Sequence, residues 1–336
     1  MEYQFKVNGK NIRDPYGKMV KYDPALADGA GTTYTENGAT CSANTGSSVN
    51  IVMNMDKTKI LWNARPELKE REDSIVYEIN IRDFTIAANS GVTASKKGKY
   101  LGMVETGTTY GSVKTGIDHL KELGVTTVQI MPFYDFATKK NYSTGEIYNW
   151  GYDPVNFNVP EDRFSQNPGD YEARIKEVKT MIDEFHKNGI RVVMDVVYNH
   201  TFWNEMFMDI TSKYYIYQNG KLANASGCGN GVDTGNAMVS RFIRDSLEYW
   251  LDEYNIDGFR FDLMGIYYYN EVNEWGKYLN SKYPDRNLII YGEPWNGYWL
   301  DDADLGKRSL PGNRALMAQG RVGIFDGGFR EAIKGG

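Results

Sequence analysis

Arg260 and Asp262 stand two residues apart in Asp257-Gly258-Phe259-Arg260-Phe261-Asp262-Leu263-Met264-Gly265, a run otherwise apolar enough to be a buried strand. Alternation along a strand points both polar side chains one way and Phe259, Phe261 and Leu263 the other. A guanidinium beside a carboxylate favours the ionised acid, which suits a nucleophile or an electrostatic stabiliser and not a proton donor. Taken alone, the pair reads as a buried structural ion pair. A second strand-like run, Leu288-Ile289-Ile290-Tyr291-Gly292-Glu293-Pro294-Trp295, changes that balance. Pro294 stops the strand and leaves Glu293 at its C-terminal tip, where the indole of Trp295 helps desolvate the carboxyl and raise its pKa. One carboxylate pushed down and one pushed up is the division of labour in a retaining glycosidase, which holds the two carboxyls ~5 Å apart.

A third run, Arg191-Val192-Val193-Met194-Asp195-Val196-Val197-Tyr198-Asn199-His200-Thr201, is β-branched until it delivers Asp195, Asn199 and His200 at its end. With these three runs in hand, DVVYNH, DGFRFDLMG and YGEPW resemble three of the four conserved regions of the α-amylase superfamily of glycoside hydrolases. Tyr148-Asn149-Trp150-Gly151-Tyr152-Asp153-Pro154 resembles the signature of type I pullulanases, and Ser226-Gly227-Cys228-Gly229-Asn230 is similar to a loop of the same enzymes. The resemblance implies cleavage of α-1,6 branch linkages in pullulan, starch or glycogen, with an α-glucan as partner. It implies Asp262 as nucleophile and Glu293 as general acid and base. Arg260 would hold Asp262 ionised, and Tyr152 would form a platform for the sugar being cleaved. Asp195, His200 and Trp295 would bind substrate, Asp195 equally serving as a partner to Arg260 or a loop anchor. It requires no cofactor. Asn199 matches a calcium ligand of many α-amylases, so Ca2+ is allowed but not required. The chain departs from the family pattern at Ile266-Tyr267-Tyr268-Tyr269 and at Phe325-Asp326-Gly327. Another α-glucan hydrolase or transferase shares the three motifs, and a non-catalytic glucan-binding remnant is the reading outside that class.

Composition narrows the partners independently. A net charge of −6 and a pI near 5.3 argue against nucleic acid, whose binders need a basic footprint. Aromatic residues make up 14 %, enough to stack on sugar faces after the core has taken its share. Cys41 and Cys228 fit no metal-ligand spacing, and three histidines assemble no zinc cluster. The N-terminus lacks an apolar leader and no stretch reaches membrane-span length, so the chain as it stands reads as cytoplasmic, the parent being free to be secreted.

The elements that must hold these residues alternate. Tyr3 to Val7 and Asn11 to Pro15 flank Asn8-Gly9 and predict a hairpin, while residues 23–50, rich in Gly, Thr, Ser and Asn, read as loop. Residues 1–60 are expected to be the end of a β-sandwich plus linker, and 61–336 a partial barrel. Its first strand is expected over Ser74 to Phe84. Helical spacing at Val113/Ile117/Leu120/Leu123, Ile175/Val178/Met181/Ile182/Phe185, Phe242/Leu247/Trp250/Leu251 and Val272/Trp275/Leu279 separates the strands. The result is an α/β fold of (β/α)8 type, incomplete, with strands one to about six, the sixth beginning near Arg321. The fourth conserved region, with its second histidine and third carboxylate, is not in the sequence.

Overall fold

The computed structural model describes residues 1–298, 300 and 302–335. Its central sheet has six strands: β1 (Val76–Ile79), β2 (Thr127–Ile130), β3 (Arg191–Val196), β4 (Gly258–Phe261), β5 (Ile289–Gly292) and β6 (Gly323–Ile324). Each pairs in parallel with the next in sequence order. A doubly wound sheet reverses that order at a switch point, whereas a barrel wall does not. Every residue of β3 is buried, as a strand must be when helices cover one face and lumen side chains the other. Among the described strands, β1 pairs only with β2 and β6 only with β5, so the wall curls without closing.

Helices α1 (Gly116–Leu123), α2 (Tyr171–Lys187), α3 (Ala237–Tyr254) and α4 (Tyr269–Lys282) fill the crossovers, and α5 (Gly327–Lys334) follows β6. In α2 the five residues picked out by helical spacing are all fully buried, and Asp170 caps the first turn by accepting from the Ala173 N–H. Each such side chain contributes roughly 1.5–3 kcal/mol, so packing and not helix propensity holds α2 in place. The apolar faces of α3 and α4 meet the same core.

The structure departs from expectation in several places. Val113 lies in a short strand before α1, and both it and Leu123 are exposed, so only Ile117 and Leu120 of that stripe face the core. β1 stops at Ile79, because the Asn80 side chain accepts from the N–H groups of Arg82 and Asp83 and turns the chain. Leu263 does not extend β4: its φ of 40° puts it in the left-handed region, which breaks the alternation just after Asp262. Residues 23–50 are not all loop. Thr32–Glu36 and Ala39–Asn44 form a hairpin around Asn37 and Gly38, whose φ values of 49° and 78° suit a tight turn.

The expected N-terminal hairpin is present, Phe5–Val7 pairing with Lys10–Ile12. Ala39–Asn44 takes Thr138–Asn141 on its other edge, so residues before 60 share a sheet with the excursion after β2. Met19, Val20 and Ile51 lie in the same apolar cluster as the barrel strands. Residue 60 therefore marks no break in packing. Among the described residues no helix is long and apolar enough to cross a membrane.

Candidate active site

Strand register builds the site. Asp195 lies opposite Arg260 and Arg260 opposite Tyr291, so one row of side chains crosses β3, β4 and β5 near their C-terminal ends. Asp262 and Glu293 each stand one residue beyond their strands. The Arg260 guanidinium gathers three carboxylates. Its Nη1 donates to Asp195 at 2.9 and 3.1 Å and to Asp262 Oδ1 at 3.0 Å, while Nη2 lies 2.5 Å from Glu293 Oε1. Sharing one planar guanidinium keeps the Asp262 and Glu293 oxygens no more than roughly 8 Å apart, close enough to face a single glycosidic linkage.

Further contacts fix each carboxylate separately. The Asn199 amide donates to the Asp262 carboxylate at 2.8 Å and to its carbonyl at 2.9 Å. The left-handed turn at Leu263 aims its N–H at Glu293 Oε2, 3.0 Å away. Gly265 then donates to the carbonyls of Glu293 and Trp295 at 3.0 and 3.1 Å. A Cβ on Gly265 would sit 2.4 Å from the Trp295 carbonyl carbon, so only glycine lets the two loops approach.

The electrostatics reverse one expectation. Asp262 is not held below the ordinary carboxylate range: burial raises its pKa, Glu293 adds to the rise, and Arg260 and Asn199 offset it only in part. Arg260 does not distinguish the two carboxylates, since it touches both. Burial pushes Asp195 up to about 7 against the pull of Arg260, with Asp262 adding to the rise. Burial is the main cause at both Asp195 and Asp262, and one guanidinium shared among three carboxylates does not offset it.

The remaining residues fall around this cluster. Asp195 is fully buried and bound to Arg260 and to the Tyr152 hydroxyl, which donates at 2.7 Å. His200 is only 2 % exposed, with Nδ1 2.6 Å from Asn199 Oδ1 and Nε2 3.0 Å from the Tyr152 carbonyl. Burial lowers its pKa to about 4, so the ring is neutral near pH 7. The ring lies between the Asn199 side chain and the Tyr152 carbonyl and braces the Tyr152 loop. Trp295 is 37 % exposed and lies 6.1 Å from Phe325, ring centre to ring centre, in the wall of a cleft of about 680 Å3 that continues from Pro294 to Arg314 and Arg330. Phe325, noticed in the sequence only as a departure from pattern, also lies 5.9 Å from the Arg260 guanidinium. Nothing local in the sequence signals that contact, which depends on β6 pairing with β5.

Asn199 does not fit the role of a calcium ligand. Its Oδ1 faces His200, its amide nitrogen is spent on Asp262, and no group of three or more His, Cys, Asp or Glu side chains among the described residues could hold a metal.

A parallel wall wound in sequence order, with acids clustered at its C-terminal rim, defines a (β/α)-barrel enzyme site of the glycoside hydrolase kind. A family model of the α-amylase catalytic domain matches residues 84–230. Bacillus subtilis pullulanase is 35 % identical over 294 residues, 85 % of this chain and 39 % of that protein. Rice chloroplastic isoamylase 3 is 39 % identical over 219 residues, 60 % of this chain and 26 % of that protein. The crystal structure of pullulanase from Anoxybacillus sp. LM18-11 superposes with a TM-score of 0.83 at 36 % identity, covering 100 % of this chain and 45 % of that one. Paenibacillus barengoltzii pullulanase, solved with maltohexaose and α-cyclodextrin, gives 0.82 at 31 %, covering 99 % and 49 %. The chain is thus similar to pullulanases and isoamylases over most of its own length and to the α-amylase catalytic domain over residues 84–230, and it spans less than half the length of each of these relatives.

Proposed function

We propose that this chain carries the catalytic centre of an α-1,6-glucan debranching glycosidase working by double displacement. Glu293 gives its proton to the glycosidic oxygen as the Asp262 carboxylate attacks the anomeric carbon, so the C–O bond to the leaving glucan breaks and a glycosyl ester forms on Asp262. Glu293, now a carboxylate, takes a proton from water; the water oxygen bonds the anomeric carbon and Asp262 leaves. Arg260 stabilises negative charge on Asp262 before the attack and on Glu293 after its proton has left, and Asp195 fixes the guanidinium. Tyr152, tied to Asp195 and His200, presents its ring to the sugar under attack. The cleft beside Trp295 has room for sugar residues on the far side of the linkage. The free thiols of Cys41 and Cys228 favour a reducing, cytoplasmic setting for this activity.

The observation that carries this reading is the single guanidinium holding Asp262 and Glu293 at the tips of adjacent parallel strands. Incubation with pullulan tests it: maltotriose as the product supports it, panose or isopanose points to another linkage specificity, and retention on amylopectin without new reducing ends means glucan binding alone. Glu293→Gln is expected to abolish turnover while leaving glucan binding intact, and equal activity in that variant would overturn the acid/base assignment.

A further inference from the structure

Arg260 serves Asp262 and Glu293 alike, so whatever fixes the attacking carboxylate must be a group that touches Asp262 and not Glu293. Asn199 is that group. It is completely buried, and its one amide nitrogen donates both to Asp262 Oδ2 at 2.8 Å and to the Asp262 carbonyl at 2.9 Å. The Asp262 side fixes the orientation of the amide, because exchanging its two ends would set oxygen against the two oxygens of Asp262. With Arg260 on Oδ1 and Asn199 on Oδ2, rotation of the carboxylate is blocked from both sides. The second contact, to the carbonyl, ties the side chain of Asp262 to its own backbone where the chain swings into the left-handed turn at Leu263.

We infer that Asn199 is a positioning residue for the nucleophile, holding the Asp262 carboxylate at a fixed angle to the anomeric carbon, in place of the cation-binding role its motif suggests. This rests on the glycosidase reading above and assigns a specific donor within it. A misdirected attack lowers the chemical step far more than it lowers affinity. Loss of the Asn199 donor therefore falls on the rate of bond formation at Asp262, with glucan affinity unchanged.

Asn199→Asp tests this with little change in shape. The variant keeps an oxygen toward His200 and loses the N–H toward Asp262, where it sets a second carboxylate; it also makes the position a stronger cation ligand. The readouts are the rate at which a 5-fluoro-α-glucosyl fluoride labels the peptide containing Asp262, by mass spectrometry, maltotriose affinity by calorimetry, and both again with calcium chloride and with EDTA. Expected are labelling slowed about 100-fold, affinity within a factor of about two, and no change with calcium. Asn199→Ser, which keeps a shorter donor, is expected to fall between, and it stands in should the aspartate variant fail to fold. Labelling at the wild-type rate in both variants, or recovery with calcium, overturns the positioning role while leaving the glycosidase reading intact. Wild-type chain that is never labelled at Asp262 overturns that reading and this inference together.

Discussion

The two ends of the barrel wall solve the same problem in opposite ways. At the C-terminal rim one cation, Arg260, faces three carboxylates; at the N-terminal rim one carboxylate, Asp257, faces several donors. Asp257 is fully buried, with Arg65 2.6 Å and Arg191 3.8 Å from Oδ1, and with His186 2.8 Å and the Val192 N–H 2.7 Å from Oδ2. Burial alone would raise its pKa, yet His186, Arg65 and Val192 together bring it below the ordinary range. At the opposite rim burial wins and both Asp195 and Asp262 rise. A satisfied anion locks β3, β4 and α2 to the linker at Arg65, while at the opposite rim one guanidinium shared among three carboxylates leaves Asp195 and Asp262 with raised proton affinity.

Isosteric substitution at each rim gives the largest contrast. Asp257→Asn leaves two arginines around a neutral amide and is expected to cost about 3–5 kcal/mol in urea unfolding, since it strands buried charge, while the remaining folded molecules react normally. Asp262→Asn removes one charge from an overfilled cluster and should change stability by less than about 1 kcal/mol while abolishing turnover. Equal stability losses at the two positions would erase the distinction.

The pH dependence of stability sharpens the same comparison. Asp257 has a depressed folded pKa, so its contribution is complete above the unfolded carboxylate value of about 4 and disappears as pH falls through the folded pKa. Asp195 is raised to about 7, so the folded state binds its proton more tightly and stability declines as pH rises from about 4 toward 7. Urea midpoints measured across that range should show Asp257→Asn flattening the acid limb and Asp195→Asn flattening the decline above it. A smaller effect is expected at Gly265, where the methyl of Gly265→Ala must push the Trp295 carbonyl aside. The cost is about 1–3 kcal/mol, accompanied by slower turnover because the same loop carries Glu293. Unchanged turnover in that variant would mean the loop tolerates the shift.

Much of this was legible because local pattern and tertiary role coincide. Val192, Val193 and Val196 announce a buried strand, and the stripe from Ile175 to Phe185 announces α2. Arg260, Asp262 and Glu293 could be placed at strand ends from alternation and from Pro294. What remained hidden depends on partners distant in sequence. The hairpin at Asn37-Gly38 carried a turn signal, but its pairing with Thr138–Asn141 did not. His200 gives no sign in the sequence of the Tyr152 carbonyl, 48 residues away, that lies on its ring. The sign of the Asp262 shift escaped for the same reason. Arg260 is two residues away in sequence, whereas burial and the negative charge of Glu293 act on Asp262 only in the fold.

In the proposed double displacement Asp262 attacks and Glu293 then activates water, two inversions at one carbon. Following pullulan digestion by proton NMR in its first minutes tests this directly, because each new reducing end appears in one anomeric form before mutarotation mixes the two. The α-anomer appearing first is the result expected of a double displacement; the β-anomer appearing first would mean that water attacks in a single step and that Asp262 is not the nucleophile.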